Sequence, residues 1–174
     1  MKLKIFLIGF MGSGKTHWGK IWAVKNQLSF YDLDEQIEKT MGESVANIFE
    51  KKGEENFREM ERYVLRKFDI KNNFIMACGG GTPCFFENLQ WMNEQGITIY
   101  LQTSPQEILE KVMNETKERP LLKKINSSEL LFFVEQKLKE REPFYKQAKY
   151  ILNTKALTIT SLSEILRNQN SAVQ

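Results

Sequence analysis

The chain is poor in the residue types that build metal centres and disulfide scaffolds. Its 174 residues include one histidine, two cysteines and four prolines. The lone His17 is far in sequence from Cys78 and Cys84, so a zinc site is not expected from these residues. We interpret the two thiols as packing or incidental groups.

Long apolar runs and strong charge are absent as well. No segment approaches the roughly 20 apolar residues of a membrane span, and glycines and Lys15 interrupt the N-terminal stretch where a signal peptide needs a longer apolar core. A net charge of +3 suits an anionic ligand but is too small to indicate nucleic-acid binding. With 41% hydrophobic residues, we expect a cytoplasmic protein in which residues 1–174 form one globular domain, without nucleic-acid or membrane partners.

Strand-like and helical segments alternate along the chain. Apolar, β-branched segments predict strands at 2–8, 28–31, 73–77, 96–101 and 150–152. Helical patterns begin at 14, cover 34–39, 44–68 (interrupted near Gly53) and 128–141, and follow capping boxes at Ser104 and Ser161. This alternation predicts an α/β fold of three layers: a parallel sheet of about five strands with helices on both faces. In such sheets, ligands bind at the carboxyl ends of the strands.

One glycine-rich segment carries a specific phosphate-binding pattern. Residues 9–16, GFMGSGKT, match G-x-x-x-x-G-K-[S/T] between a predicted strand and a helix. Backbone N–H groups of such a loop converge on phosphate oxygens, Lys15 reaches the β- and γ-phosphates, and the Thr16 hydroxyl ligates Mg²⁺. We therefore expect a nucleoside triphosphate to bind Met11, Gly12, Ser13, Gly14, Lys15, Thr16 and the backbone amide of His17.

This phosphate-binding loop, a P-loop at residues 9–16, does not by itself separate kinases from GTPases or motors. The guanine-reading pattern N/T-K-x-D is missing, since residues 153–157 read NTKAL, and the chain is too short for the extra domains of a motor. P-loop proteins usually carry a Mg²⁺-directed aspartate at the end of a neighbouring strand. The strand at 73–77 ends instead in glycines, so we expect Asp32 to provide that carboxylate.

Three further features have more than one interpretation. Asp32 and Asp34 place two like charges close together, which is costly without a cation or donor nearby. Asp34 is either a helix N-cap or a functional carboxylate, and Arg58 is either a solvated helix charge or a ligand-binding group. Three consecutive glycines, 79–81, form a backbone that another group can approach closely, but they do not identify that group.

Taken together, six segments resemble the shikimate kinase family in order and spacing. They are GFMGSGKT, DLD at 32–34, FREME at 57–61, CGGGTP at 78–83, RPLL at 119–122 and REPFY at 141–145. The resemblance covers about residues 2–159. It implies a P-loop kinase fold and a monomer that uses ATP to phosphorylate the 3-hydroxyl of shikimate, in the pathway to chorismate and the aromatic amino acids.

The resemblance also implies roles on the acceptor side. Asp34 would hydrogen-bond the accepting hydroxyl and orient it or help deprotonate it. Arg58 and Arg141 would bind the shikimate carboxylate, which suits planar, bidentate guanidinium groups, and Glu61 would hold Arg58. The backbone of Gly79, Gly80 and Gly81 would lie against the shikimate ring. The substrate-binding segment would span about 33–62.

On the nucleotide side, the resemblance implies a mobile lid over about 114–124. Arg119 in this lid would reach the transferring phosphate. Lys111 takes the position of an arginine that stacks on adenine in the family, and lysine stacks less well. Lys155 would contact the adenine side.

Two alternatives differ in chemistry. A gluconate or nucleoside monophosphate kinase of the same fold would share the P-loop and lid, with less reason to combine DLD, FREME and GGG. A non-enzymatic nucleotide-binding module is disfavoured by Asp34, Arg58 and Arg141.

Overall fold

A five-stranded parallel sheet organises the chain. The computed structural model describes residues 2–68, 72–116 and 127–171. Its strands are β1 (Lys4–Ile8), β2 (Ser29–Asp32), β3 (Phe74–Ala77), β4 (Ile97–Gln102) and β5 (Tyr150–Asn153). Their order in the sheet is β2-β3-β1-β4-β5, and every neighbouring pair is parallel. The predicted α/β architecture is confirmed.

Helices cover both faces of this sheet. They are α1 (Lys15–Lys25), α2 (Leu33–Met41), α3 (Val45–Lys67), α4 (Asn88–Gln95), α5 (Pro105–Thr116), α6 (Ser127–Tyr145) and α7 (Ser161–Ser171). Among the described residues, short 3-10 turns occupy Thr82–Cys84 and Thr154–Ala156. None of the helices within the described ranges has both the length and the apolar content needed to traverse a bilayer.

The alternation of side chains along the strands builds a core on each face. Ile5 and Leu7 of β1 pack with Trp22 of α1 and Leu162 of α7. Their neighbours Phe6 and Ile8 pack on the opposite face, where α2 to α6 lie. Since both faces are covered, the three inner strands β3, β1 and β4 are almost continuously apolar, as in other buried parallel sheets.

Several helix boundaries differ from the sequence-based prediction. Helix α4 was not predicted, because it is short and begins after Glu87, whose φ is 56° and whose side chain makes no cap. Residues 114–116 belong to α5, so the helix runs into the segment predicted as a loop. Helix α6 continues past Arg141 to Tyr145.

The two predicted capping boxes have different outcomes. The Ser104 hydroxyl accepts from Glu107 N at 3.3 Å, and Glu107 Oε2 accepts from Ser104 N at 3.1 Å, which confirms the first. The second prediction was wrong because Ser161 is already inside α7. Its hydroxyl instead accepts from Thr158 N, in the preceding turn, at 2.9 Å.

Candidate active site

The loop between β1 and α1 has the conformation that its glycines permit. Gly12 and Gly14 have φ of 73° and 86°, in the left-handed region that favours glycine. Helix α1 begins at Lys15, so the loop leads directly into the first turn of the helix. His17 lies in that turn, where its exposed imidazole packs edge-on against Trp18 at 5.5 Å between centroids. The predicted strand–loop–helix context of the phosphate-binding pattern is present.

Lys15 folds back over this loop. Its ammonium donates to the carbonyl oxygens of Gly9 at 2.9 Å and Phe10 at 2.8 Å. Burial lowers the pKa of Lys15 to about 8, although the nearby carboxylates of Asp32 and Asp34 act in the opposite direction. The cation is therefore held in a poorly solvated position, where an anionic ligand would stabilise its charged form.

Asp32 serves two neighbouring groups. Its Oδ2 accepts from the Thr16 hydroxyl at 3.0 Å, which joins the ends of β2 and the phosphate-binding loop. Its Oδ1 accepts from Asp34 N at 3.1 Å, so Asp32, not Asp34, is the N-cap of α2. The interpretation of Asp34 as the cap was wrong. Thr16 and Asp32 together present hard oxygen donors of the kind that Mg²⁺ prefers.

Asp34 remains available for another role. It lies in the first turn of α2, and its Oδ1 is 3.5 Å from the position that a Cβ on Gly79 would occupy. Burial and the adjacent Asp32 carboxylate raise the pKa of Asp34, against the attraction of Lys15 and Arg58. An environment that favours the protonated carboxyl suits a group that receives a proton during a reaction.

Arg58 is a buried side chain held by two carboxylates and not a solvated helix charge. Its Nη1 donates to Glu61 Oε2 at 3.0 Å, and its Nε and Nη2 donate to Glu54 Oε1 at 3.3 and 3.1 Å. The guanidinium also lies 4.6 Å from the Phe85 ring centroid and 5.1 Å from that of Phe57. These contacts fix the guanidinium at the wall of a cavity, while Glu54 remains half-exposed.

A kink in α3 separates two parts of the predicted substrate-binding segment. Gly53 has φ 77° and ψ 172°, which interrupts the helix at the predicted place. The second part of the helix starts at Glu54, and it carries Arg58 and Glu61, three residues apart, on one side. Glycine tolerates this left-handed φ, whereas a residue with a Cβ would be strained there.

A buried chain of hydrogen bonds supports Arg58 from behind. Asn88 Nδ2 donates to Thr82 O at 3.1 Å, and the Thr82 hydroxyl donates to Glu61 Oε1 at 2.6 Å. Burial raises the pKa of Glu61, whereas Arg58 and the Thr82 hydroxyl lower it. The chain therefore connects α4, which sequence patterns missed, with the guanidinium in the cavity wall.

Gly79, Gly80 and Gly81 lack side chains, and the space beside them is taken by side chains of other residues in the site. A Cβ on Gly81 would lie 2.6 Å from Arg58 Cζ, and one on Gly80 would lie 3.3 Å from Arg141 Nη1. A Cβ on Gly79 would lie 3.1 Å from Glu61 Oε1. The groups that come close to this backbone are thus the arginines and the glutamate of the site, which the sequence could not identify.

These residues surround one cavity of about 280 Å³. Arg141 enters it from α6, with its guanidinium 5.5 Å from the Phe10 ring centroid. Met11, predicted on the nucleotide side, also lines it and so lies between the phosphate-binding loop and the cavity. The lining residues are Met11, Asp34, Val45, Phe49, Glu54, Phe57, Arg58, Glu61, Gly79, Gly80, Gly81 and Arg141.

Two further predicted nucleotide-binding residues, Lys111 and Lys155, lie near α5. Lys111 has its Cβ 3.8 Å from the position of a Cβ on Gly12, so α5 runs beside the phosphate-binding loop. Hydrogen bonding to Ser104 lowers the pKa of Glu107, and Lys155 and Lys111 both add to this effect, which brings the two lysines to one neighbourhood. Arg119, with residues 117–124 of the predicted lid, lies outside the described residues.

Burial disfavours the thiolate form of both cysteines. Cys78 is buried in the core, and burial raises its pKa well above the ordinary value. Burial raises the pKa of Cys84 to about 11. Within the described ranges, no group of three or more histidine, cysteine, aspartate and glutamate side chains is arranged to hold a metal ion.

Sequence analysis missed several residues of this site, among them Glu54, Thr82 and Tyr145. Glu54 and Tyr145 lie four residues before Arg58 and four after Arg141, so helical spacing from each predicted arginine could have suggested them. Thr82 directly follows the glycines, but nothing local indicates that its hydroxyl meets Glu61, 21 residues earlier.

Comparison with known proteins gives a consistent set of similarities. A family model described as shikimate kinase matches residues 11–169. The shikimate kinase of Azobacteroides pseudotrichonymphae is 41% identical over 164 residues, covering 94% of this chain and 96% of the relative. The crystal structure of the Bacteroides thetaiotaomicron shikimate kinase superposes with a TM-score of 0.86 at 37% identity, covering 95% of this chain and 98% of that one. The Acinetobacter baumannii shikimate kinase in complex with shikimate superposes with a TM-score of 0.80 at 33% identity, covering 99% and 95%.

Proposed function

The chain belongs to the shikimate kinase family, and we propose how its own residues carry out the family's reaction. It is a phosphotransferase that uses ATP to phosphorylate the 3-hydroxyl of shikimate, giving shikimate 3-phosphate in the biosynthesis of chorismate and the aromatic amino acids. The observation that carries the residue assignment is one cavity in which Asp34 lies with Arg58 and Arg141, beside the phosphate-binding loop.

Arg58 and Arg141 bind the shikimate carboxylate in this proposal. Both guanidinium groups line the cavity, and the glycine backbone closely approaches each of them. The contacts of Arg58 with Glu61 and Glu54 hold its guanidinium in place before the substrate arrives, which reduces the entropy lost on binding. Gly79, Gly80 and Gly81 leave room for both arginines and present their backbone to the ring.

Asp34 orients the 3-hydroxyl and accepts its proton. It faces the same cavity as the arginines, and its raised pKa gives the carboxylate greater basicity than an exposed aspartate. Lys15 lies close enough to Asp34 to affect its ionisation. The acceptor and the phosphate-binding loop therefore share one electrostatic environment.

Lys15 exchanges the two carbonyl oxygens that it contacts for phosphate oxygens when ATP binds. Backbone amides from Met11 to His17 complete the phosphate site, since they line the loop and the start of α1. Thr16 and Asp32 would hold Mg²⁺, and their oxygens already lie 3.0 Å apart. A set of only two protein ligands suits Mg²⁺, because this ion usually keeps water molecules and substrate phosphates as its other ligands. When bound, the ion would neutralise phosphate charge.

Other nucleotide contacts follow from the family. Lys111 and Lys155 approach the adenine side, which their shared neighbourhood with Glu107 supports. Arg119 in the lid stabilises the charge on the transferred phosphoryl group. We also propose a single kinase domain that acts as a monomer in the cytoplasm, which light scattering on the purified protein and cell fractionation would test.

A coupled assay for ADP release tests the reaction. Shikimate should support turnover, and gluconate, AMP and the absence of an acceptor should not. Arg58→Lys keeps the charge but loses the planar fork, so the shikimate KM should rise about 10-fold or more. Arg62→Lys is the matched control: Arg62 is an exposed residue of the same helix, packed on the Phe86 ring at 4.8 Å. Equal effects of both variants, or turnover with gluconate, would contradict the assignment.

A further inference from the structure

Tyr145 occupies a buried position between α6 and the glycines. It is the last residue of α6, four residues after Arg141, so the two side chains lie on the same side of the helix. Its ring is fully buried and packs against Tyr100 of β4, with centroids 5.0 Å apart and an interplanar angle of 37°. The ring therefore anchors the end of α6 to strand β4.

The hydroxyl of Tyr145 binds the middle glycine. It donates to Gly80 O at 2.5 Å, across 65 residues of sequence. The two flanking carbonyls are satisfied locally, since Gly79 O accepts from Thr82 N at 3.1 Å and Gly81 O from Cys84 N at 2.9 Å. The Gly80 carbonyl thus turns towards α6, where the phenol satisfies it.

The same hydroxyl lies beside Arg141. Burial raises the pKa of Tyr145, so its hydroxyl stays protonated and can donate, while the Arg141 guanidinium acts in the opposite direction. Arg141 Nη1 lies 3.3 Å from the position of a Cβ on Gly80. The Tyr145 hydroxyl therefore contacts the Gly80 backbone and lies beside the Arg141 side chain, and both of these residues line the cavity.

We propose that Tyr145 is a positioning residue for shikimate binding, whose hydroxyl sets the separation between the Gly80 backbone and the Arg141 guanidinium. The inference rests on the proposed function, in which both groups contact shikimate. Tyr145 touches neither ATP nor the reacting atoms in this assignment. Its loss should weaken binding of substrate and transition state alike, which raises KM and leaves kcat unchanged.

Tyr145→Phe tests this inference because it keeps the ring stack and removes only the hydroxyl. We expect the shikimate KM and the calorimetric shikimate Kd to rise about 10-fold, with kcat and the ATP KM within about twofold of wild type. Tyr100→Phe, in the other ring of the same stack, is the matched control and should leave the shikimate KM within about twofold. A lowered melting temperature in Tyr145→Phe with unchanged shikimate Kd would overturn the inference, as would equal increases in both variants.

Arg141→Lys separates failure of the inference from failure of the proposed function. If Arg141→Lys raises the shikimate KM and Tyr145→Phe does not, the Tyr145 role alone is wrong. If Arg141→Lys also leaves the KM unchanged, the carboxylate assignment fails. In the double variant, the two effects should combine to less than their product, because the hydroxyl acts partly through Arg141. Full multiplication of the two effects would contradict coupling through the arginine.

Discussion

Replacing Gly81 by alanine tests the packing of Arg58 against the glycine backbone. Gly81 has φ −91° and ψ −18°, a conformation that alanine adopts without strain. The added methyl would overlap the guanidinium, since the Cβ position is 2.6 Å from Arg58 Cζ and 2.8 Å from Nη1. The substitution therefore perturbs the arginine while leaving the backbone unstrained.

The magnitude follows from the contacts that Arg58 must give up. Carbon atoms in contact lie about 3.5–4.0 Å apart, so the guanidinium has to move by about 1 Å. Such a shift disrupts the 3.0 Å bond to Glu61 and the packing on Phe85, and it misplaces the nitrogens offered to the substrate carboxylate. A hydrogen bond to a charged group contributes about 1.5–3 kcal/mol, so the shikimate Kd should rise about 10- to 150-fold.

Titration calorimetry with shikimate and with ATP measures the effect, and thermal denaturation confirms that the variant is folded. ATP affinity should stay within about twofold, because the phosphate-binding loop is a separate segment. Gly80→Ala is the matched control. Its Cβ would lie 3.3 Å from the flexible end of Arg141, and 3.5 and 3.6 Å from Met11 N and Gly9 O, which are ordinary contact distances, so a smaller effect is expected. A folded Gly81→Ala variant with wild-type shikimate affinity would refute the packing argument, as would a larger loss in Gly80→Ala.

Four further predictions concern Lys15, Asp34 and Asp32. Lys15→Met should reduce turnover by about 10²-fold or more in a folded protein, and near-native turnover would remove the phosphate-site assignment. Burial lowers the pKa of Lys15 to about 8, so the ammonium of the free enzyme loses a proton above pH 8. Bound phosphates would restore the charged form. ATP affinity should therefore fall as the pH rises past 8. Calorimetry at pH 8.5 in buffers of different ionisation enthalpy should show proton uptake that Lys15→Met lacks. Asp34→Asn should cut kcat by about 10²-fold or more with an unchanged ATP Kd. Because the pKa of Asp34 is raised, the acid limb of the wild-type pH–activity profile should lie above pH 3.8. Loss of ATP binding in Asp34→Asn would instead indicate that Asp34 is a metal ligand. Asp32→Asn should raise the Mg²⁺ concentration needed for half-maximal activity, an effect that a pure helix cap would not produce.

The sequence by itself determined the sheet, most helices and the phosphate-binding loop. These features depend on local patterns: apolar runs for buried strands, helical periodicity, and glycines at positions where the backbone takes a left-handed φ. Gly12, Gly14 and Gly53 fall where such a φ is needed. Asp32, Asp34, Arg58 and Arg141 could be singled out because their spacing resembles a known family, although their surroundings stayed open.

Only the tertiary structure decided how those residues are held. It assigned the α2 cap to Asp32, the support of Arg58 to Glu54 and Glu61, and the space beside Gly81 to the Arg58 guanidinium. These contacts join groups that are distant along the chain, as the Tyr145 bond to Gly80 does across 65 residues. Side-chain periodicity reports which face of an element is buried but not which group it meets there. That choice depends on how parallel strands bring separate loops to one edge of the sheet.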